Sequence, residues 1–118
     1  MNQTPEQRAA AARALMVEIT MKFIERTRAE LETLRARLPA LGAGDSAALA
    51  EIRNLAHRIC GTGATLGFDA LADLAHALEK IADAQPPDQR PDAAAMQQLA
   101  RGIDALVAEV ARAEPRGG

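Results

Sequence analysis

The chain has 118 residues, 48% of them apolar, with no Trp or Tyr, two Phe and a single Cys. A formal net charge of −2 gives it no electrostatic reason to bind nucleic acid, and the aromatics that stack on single strands are missing. The lone Cys60 excludes an internal disulfide and a thiolate metal site.

The length fits one domain around one core. Abundant Ala and Leu, mixed with Glu and Arg, favour helix over strand. The N-terminal stretch lacks the apolar run of a signal peptide, and no segment reaches membrane-spanning length. A cytoplasmic protein without a membrane partner is therefore expected.

Four helical segments are predicted. The first covers about 5–38: Thr4 is a natural N-cap, Pro5 suits the first helical position, and Gln7 can close a capping box. Leu15, Ile19, Phe23, Thr27, Leu31, Leu34 and Leu38 step by three and four and form its predicted buried stripe. A segment this long can also be a short helix kinked onto a longer one. Arg26, Arg28, Arg35 and Arg37 alternate with Glu25, Glu30 and Glu32, the pattern of a solvated, salt-bridged face. Met16 and Met21 read as core or flank positions, as does Met96 further on.

A Pro- and Gly-rich break over 39–45 ends that segment. The second helix runs over 46–63, with Leu49, Ile52, Ala56, Ile59 and Gly63 on one side. A softer break around Gly61, Gly63 and Gly67 precedes the third, over 69–84, where Asp69 reads as the N-cap and Leu71, Leu74, Leu78 and Ile81 as the stripe. The fourth, over 92–113, opens at Asp92 and shows Met96, Leu99, Ile103, Leu106 and Val110. Residues 114–118 read as a frayed tail. Short connections make sequence neighbours antiparallel, so the expected fold is all-α, an antiparallel up-down four-helix bundle.

The informative residues lie on the second helix. A turn of about 100° per residue gathers Leu49, Ile52, Ala56, Ile59 and Cys60 into one arc and leaves His57 roughly 130° from its centre, facing solvent. Arg53 and Gly61 share the face of His57, one turn before and one turn after it. A mid-helix Gly costs about 1 kcal/mol against Ala. Its missing side chain clears space beside the ring for a phosphoryl group or a docking protein. Neutral imidazole is a usable nucleophile near neutral pH without a separate strong base. Phosphoryl transfer asks mainly for positioning and for cations around the equatorial oxygens. Arg53 can supply one cation, and Arg58 another if it curls round the helix. His76, beside Asp73 and Lys80, reads as a solvated surface residue, and no ligand spacing pairs it with His57 around a metal.

The run His57, Ile59, Cys60, Gly61 and Gly67, followed by Leu71, Leu74, Ala75, Leu78 and Glu79, resembles the histidine phosphotransfer (HPt) domains of bacterial multistep phosphorelays. That resemblance implies a carrier with no ATP site or kinase activity of its own, and so not an enzyme. His57 is the implied phosphoacceptor, charged by a receiver-domain aspartate and discharged to another receiver. Arg53, Arg58, Cys60 and Gly61 are the implied phosphate environment and docking surface. The implied partners are response-regulator receiver domains and a hybrid histidine kinase, with Mg²⁺ supplied by the receiver and no cofactor held by the chain itself. A monomer is expected.

One position departs from the family pattern. The lysine three residues after the histidine is Cys60 here, near the core arc, where an inert thiol is expected. Either the arginines replace that lysine or the domain holds phosphate poorly. Two other readings stay open: a non-catalytic helical module, or degenerate HPt domain, that binds receivers without transfer, and a bundle that dimerises through its first helix.

Overall fold

Helix starts follow from local capping chemistry. The computed structural model describes residues 2–114, which form α1 (Pro5–Gly42), α2 (Ser46–Thr65), α3 (Asp69–Asp83) and α4 (Ala93–Ala113). At α1 the Thr4 hydroxyl accepts from the Gln7 N–H at 3.1 Å, and the Gln7 side chain accepts from the Thr4 N–H at 2.8 Å, the reciprocal capping box. Asp45 accepts from the Ala47 N–H at 3.0 Å to start α2, and Asp92 accepts from the Ala95 N–H at 2.8 Å to start α4. Helix α3 differs from expectation. Its N-cap is Phe68, which makes no side-chain cap bond, and Asp69 is the first helical residue, where its charge suits the helix dipole.

The reason is the turn before it. Gly67 has φ +87°, its N–H donates to Ala64 O at 3.2 Å, and the Phe68 N–H donates to Gly63 O at 2.8 Å. This is a Schellman motif, and it needs glycine at the left-handed position. With Phe68 both closing α2 and opening α3, no separate capping residue fits between the helices. The same motif ends α1: Gly44 has φ +104°, and the Gly44 and Asp45 N–H groups donate to Leu41 O and Ala40 O at 3.0 and 2.9 Å. The first helix therefore runs through Pro39, where the sequence reading ends it, and stops at Gly42. Pro39 removes one intrahelical bond. Burial of Leu41 and the Schellman bonds one turn later hold the last turn in place.

Buried residues from all four helices form one core. Leu31, Ile52, Ala56, Ile59, Leu78, Leu99, Ile103, Leu106 and Val110 have no accessible surface. Each helix packs against its sequence neighbours, and α1 also packs against α4, which closes the ring. Ion pairs record the direction of the helices. Arg37 meets Glu51 while Glu30 meets Arg58, so seven steps along α1 match seven steps back along α2. His57 meets Glu79 while Arg53 meets Asp83, four steps against four, so α2 and α3 are antiparallel as well. Arg37 also reaches Asp45 at 3.1 Å, and its hydrogen bond to Glu51 is the main cause that raises its pKa.

Helix length is the main surprise of the fold. Thirty-eight residues make a helix about 57 Å long. The longest dimension of the molecule is 61 Å, so α1 spans it without the sharp kink that the sequence allows. Helices α2, α3 and α4 have 20, 15 and 21 residues, at most about 32 Å each, and cannot cover it. Residues 2–19 are accordingly exposed throughout. This corrects the predicted stripe: Leu15 is 56% and Ile19 42% exposed, and Met16 and Met21 are neither core nor flank, at 50% and 49%. Burial begins at Ile24 and continues through Thr27, Leu31 and Leu34. At the other end, Glu114 lies 2.9 Å from Arg28, so the expected fraying does not begin there; residues 115–118 lie outside the described residues.

Two stability outcomes follow from this packing. Leu31→Ala should destabilise the chain by about 2–5 kcal/mol in denaturant unfolding, through lost burial and a residual cavity. Asp92→Ala should cost about 1 kcal/mol, because it leaves the Ala95 N–H without its cap.

Candidate functional site

The rotation of α2 places the site. Ala48, Leu49, Ile52, Leu55, Ala56 and Ile59 are buried along one side. His57 therefore faces out, with its side chain 80% exposed. Across the α2–α3 groove its Nδ1 lies 2.6 Å from Oε2 of Glu79, a carboxylate only 16% exposed. An ionised carboxylate can only accept, so this bond requires the ring proton on Nδ1. A neutral ring then carries its lone pair on Nε2, the nitrogen away from Glu79. The other carboxylate oxygen, Oε1, lies 3.9 Å from Nδ1 of His76, which is exposed on α3.

The four predicted neighbours of His57 have different fates. Arg53 is one turn before it on the same side, and its Nε lies 3.8 Å from Asp83 Oδ1. Exposed pairs at such a separation contribute little, so the guanidinium remains available to an anion. Arg58 does not join His57. Adjacent helical residues diverge by about 100°, and Arg58 lies in the α1–α2 groove, paired with Glu30. Burial there, with Arg26 nearby, lowers its pKa from the ordinary guanidinium value. Cys60 is half-buried and packs against the core, as its place on the arc predicts, so it offers no charge to the site.

Gly61 is the informative glycine. A Cβ there would meet nothing within 4 Å. Close packing inside the molecule thus gives no reason for glycine at this helical position. At Gly102 the opposite holds: a Cβ would lie 2.8 Å from Leu78 Cδ1, so that glycine serves the α3–α4 contact. The clearance at Gly61 opens outward, one turn from the imidazole.

Glu79 is the residue that the sequence reading left without a role. It ends the Leu-rich run, and only the antiparallel register of α2 and α3 brings it to His57, 22 positions away. Among the described residues, no group of three or more His, Cys, Asp and Glu side chains is arranged to hold a metal ion. No helix among them is long and apolar enough to cross a membrane.

No curated protein and no solved structure matches the chain. A family model described as Hpt domain matches residues 18–111, from the base of the projecting part of α1 to the last turns of α4. With a four-helix bundle and an exposed histidine on its second helix, the chain belongs to the Hpt domain family, the phosphotransfer carriers of phosphorelays.

Proposed function

We propose that His57 accepts a phosphoryl group from a receiver-domain aspartate and returns it to another receiver. The observation that carries this reading is an exposed imidazole whose Nδ1 is held at 2.6 Å by a largely buried carboxylate. In the forward step the Nε2 lone pair attacks phosphorus, the bond from phosphorus to the aspartyl oxygen breaks, and the receiver recovers its carboxylate. Positive charge develops on the ring as the bond forms, and Glu79 lies in place to stabilise it. The reverse step breaks the N–P bond and restores neutral imidazole. Mg²⁺ belongs to the receiver in this scheme, and the chain itself acts as a carrier and not as an enzyme. Arg53 is the cation beside the transferred group, and the opening at Gly61 admits the receiver surface. A hybrid histidine kinase is the proposed source of phosphate, and the compartment is the cytoplasm.

A second reading, a docking module without transfer, has one observation in its favour. Cys60 stands at the position of the family's lysine, and Arg58 is engaged by Glu30. Incubation with phosphorylated receiver domains separates the two. Acid-labile phosphate should appear on the wild type and be absent from His57→Gln. Binding without label on the wild type establishes the docking module instead.

Two further variants test the geometry. Glu79→Gln should slow transfer by about 10–100-fold, the scale seen when the carboxylate behind a metal-ligating histidine is removed. An unchanged rate would show that the ring needs no orientation. Gly61→Ala should raise unfolding stability by about 1 kcal/mol on helix propensity while slowing transfer from the receiver, two effects of opposite sign. A stabilised variant with an undiminished transfer rate would remove the clearance role.

A further inference from the structure

The uncovered part of α1 is a helix without a partner. Residues 5–22, about 27 Å of helix, project beyond the ends of α2 and α4 with a fully formed capping box at the tip. Single helices of this length are marginal in water even for Ala-rich sequences, and most helical stability in proteins comes from packing an apolar face. Here Leu15, Met16, Val17, Ile19 and Met21 are all 42–58% exposed. Isolated exposed apolar residues need no explanation, but Leu15, Met16 and Ile19 fall within about 100° of one another round the helix and make a patch on one face.

The spacing within the arm points to its occupant. Ala9, Ala12, Met16 and Ile19 follow one another by three, four and three, the seam of a two-stranded coiled coil, and no charged residue interrupts them. That spacing is symmetric about residue 14. An antiparallel copy centred there sets Ala9 against Ile19 and Ala12 against Met16, a small side chain opposite a large one in every layer. A parallel copy sets alanine against alanine at one end of the seam, which leaves gaps there. Thr20 is already half-buried, and the centre lies within the stretch Pro5–Ile19 that is exposed throughout. In this register each tip ends opposite Phe23 of the other copy, just where its bundle begins to cover α1.

We propose that the projecting arm of α1 pairs antiparallel with the arm of a second copy of this chain, centred on Ala14. The pairing buries less than the roughly 800 Å² per partner of a standard stable interface, so the dimer is reversible and concentration-dependent. It sends the two bundles to opposite ends of the pair. His57 is level with Glu30, the partner of the next residue Arg58, about 12 Å along α1 from the start of the arm, so both imidazoles stay open. A monomer is what goes with the family resemblance, and the uncovered arm is the feature that departs from it. The inference is independent of the phosphotransfer reading.

Sedimentation equilibrium of the whole chain, from low micromolar to several hundred micromolar, tests it. The expected result is a shift from the 12.5 kDa of one chain to twice that mass. Met16→Glu combined with Ile19→Glu should weaken the dimer at least about tenfold, with the bundle's helical signal and cooperative unfolding retained because neither residue belongs to the hydrophobic core. For orientation, Ala9→Cys and Ile19→Cys chains, each also carrying Cys60→Ser, are mixed under mild oxidation. The mixed disulfide should dominate. A single 12.5 kDa species throughout, a dimer untouched by the two glutamates, or a dominant Ala9→Cys homodisulfide would each overturn the proposal.

Discussion

Burial of Ile52, Ala56 and Ile59 fixes the rotation of α2 about its own axis, and the rest of the site depends on that angle. None of the three has accessible surface, so a small turn of the helix would expose apolar area on one side and drive Arg53 or Cys60 into the core on the other. With the angle fixed, His57 must face water, Cys60 must pack half-buried, and Arg58 must leave the face of His57 for the α1 side. The exposure of the imidazole is therefore a consequence of core packing. Its own chemistry plays no part in placing it.

Orientation of the ring depends on a second constraint, the register between α2 and α3. The Schellman turn at Gly67 leaves Phe68 and Asp69 no freedom to lengthen or shorten the connection. The register it sets brings Glu79 opposite His57 and Asp83 opposite Arg53. A one-residue change in that turn would carry Glu79 about 100° round α3 or 1.5 Å along it, and the 2.6 Å contact would be lost. A short turn of glycines thus acts on a nitrogen some distance away, through rigid helices.

The departure at Cys60 has a physical reading in the same frame. Position 60 lies on the α3-facing edge of the core arc, where a long cation would have to snorkel past the helix to reach solvent. In this chain the thiol fills that space, and the cation on the face of His57 is Arg53, from the preceding turn. Across the groove Glu79 holds the imidazole from the α3 side, while Asp83, 3.8 Å from Arg53, lies near the guanidinium without fixing it. The site thus pairs one nucleophile, oriented by a carboxylate of the neighbouring helix, with one cation on the same face of α2.

Much of this was legible in the residues because it is local. The capping box at Thr4, the caps at Asp45 and Asp92, the glycine turn after α2, and the outward direction of His57 all depend on contacts within a few residues. Helical periodicity says which face of a segment is apolar, and it placed Cys60 and Gly61 correctly relative to His57. It does not say whether anything covers that face. Leu15 and Ile19 continue the stripe of Leu31 and Leu34, yet three partner helices half as long leave them in water; the mismatch in segment lengths was the available signal. Asp69 looked like a cap because its type suits one, and the preceding turn decided otherwise. Glu79 on His57 and Glu30 on Arg58 join residues 22 and 28 positions apart. Such contacts are set by the axial register and mutual rotation of packed helices, quantities that no single segment contains. The residues themselves specify four helices, the capping box at Thr4 and the outward face of His57, because these depend on neighbours within a turn; which carboxylate holds that histidine, which arginine stays beside it, and how much of the first helix is left bare depend on how the helices pack.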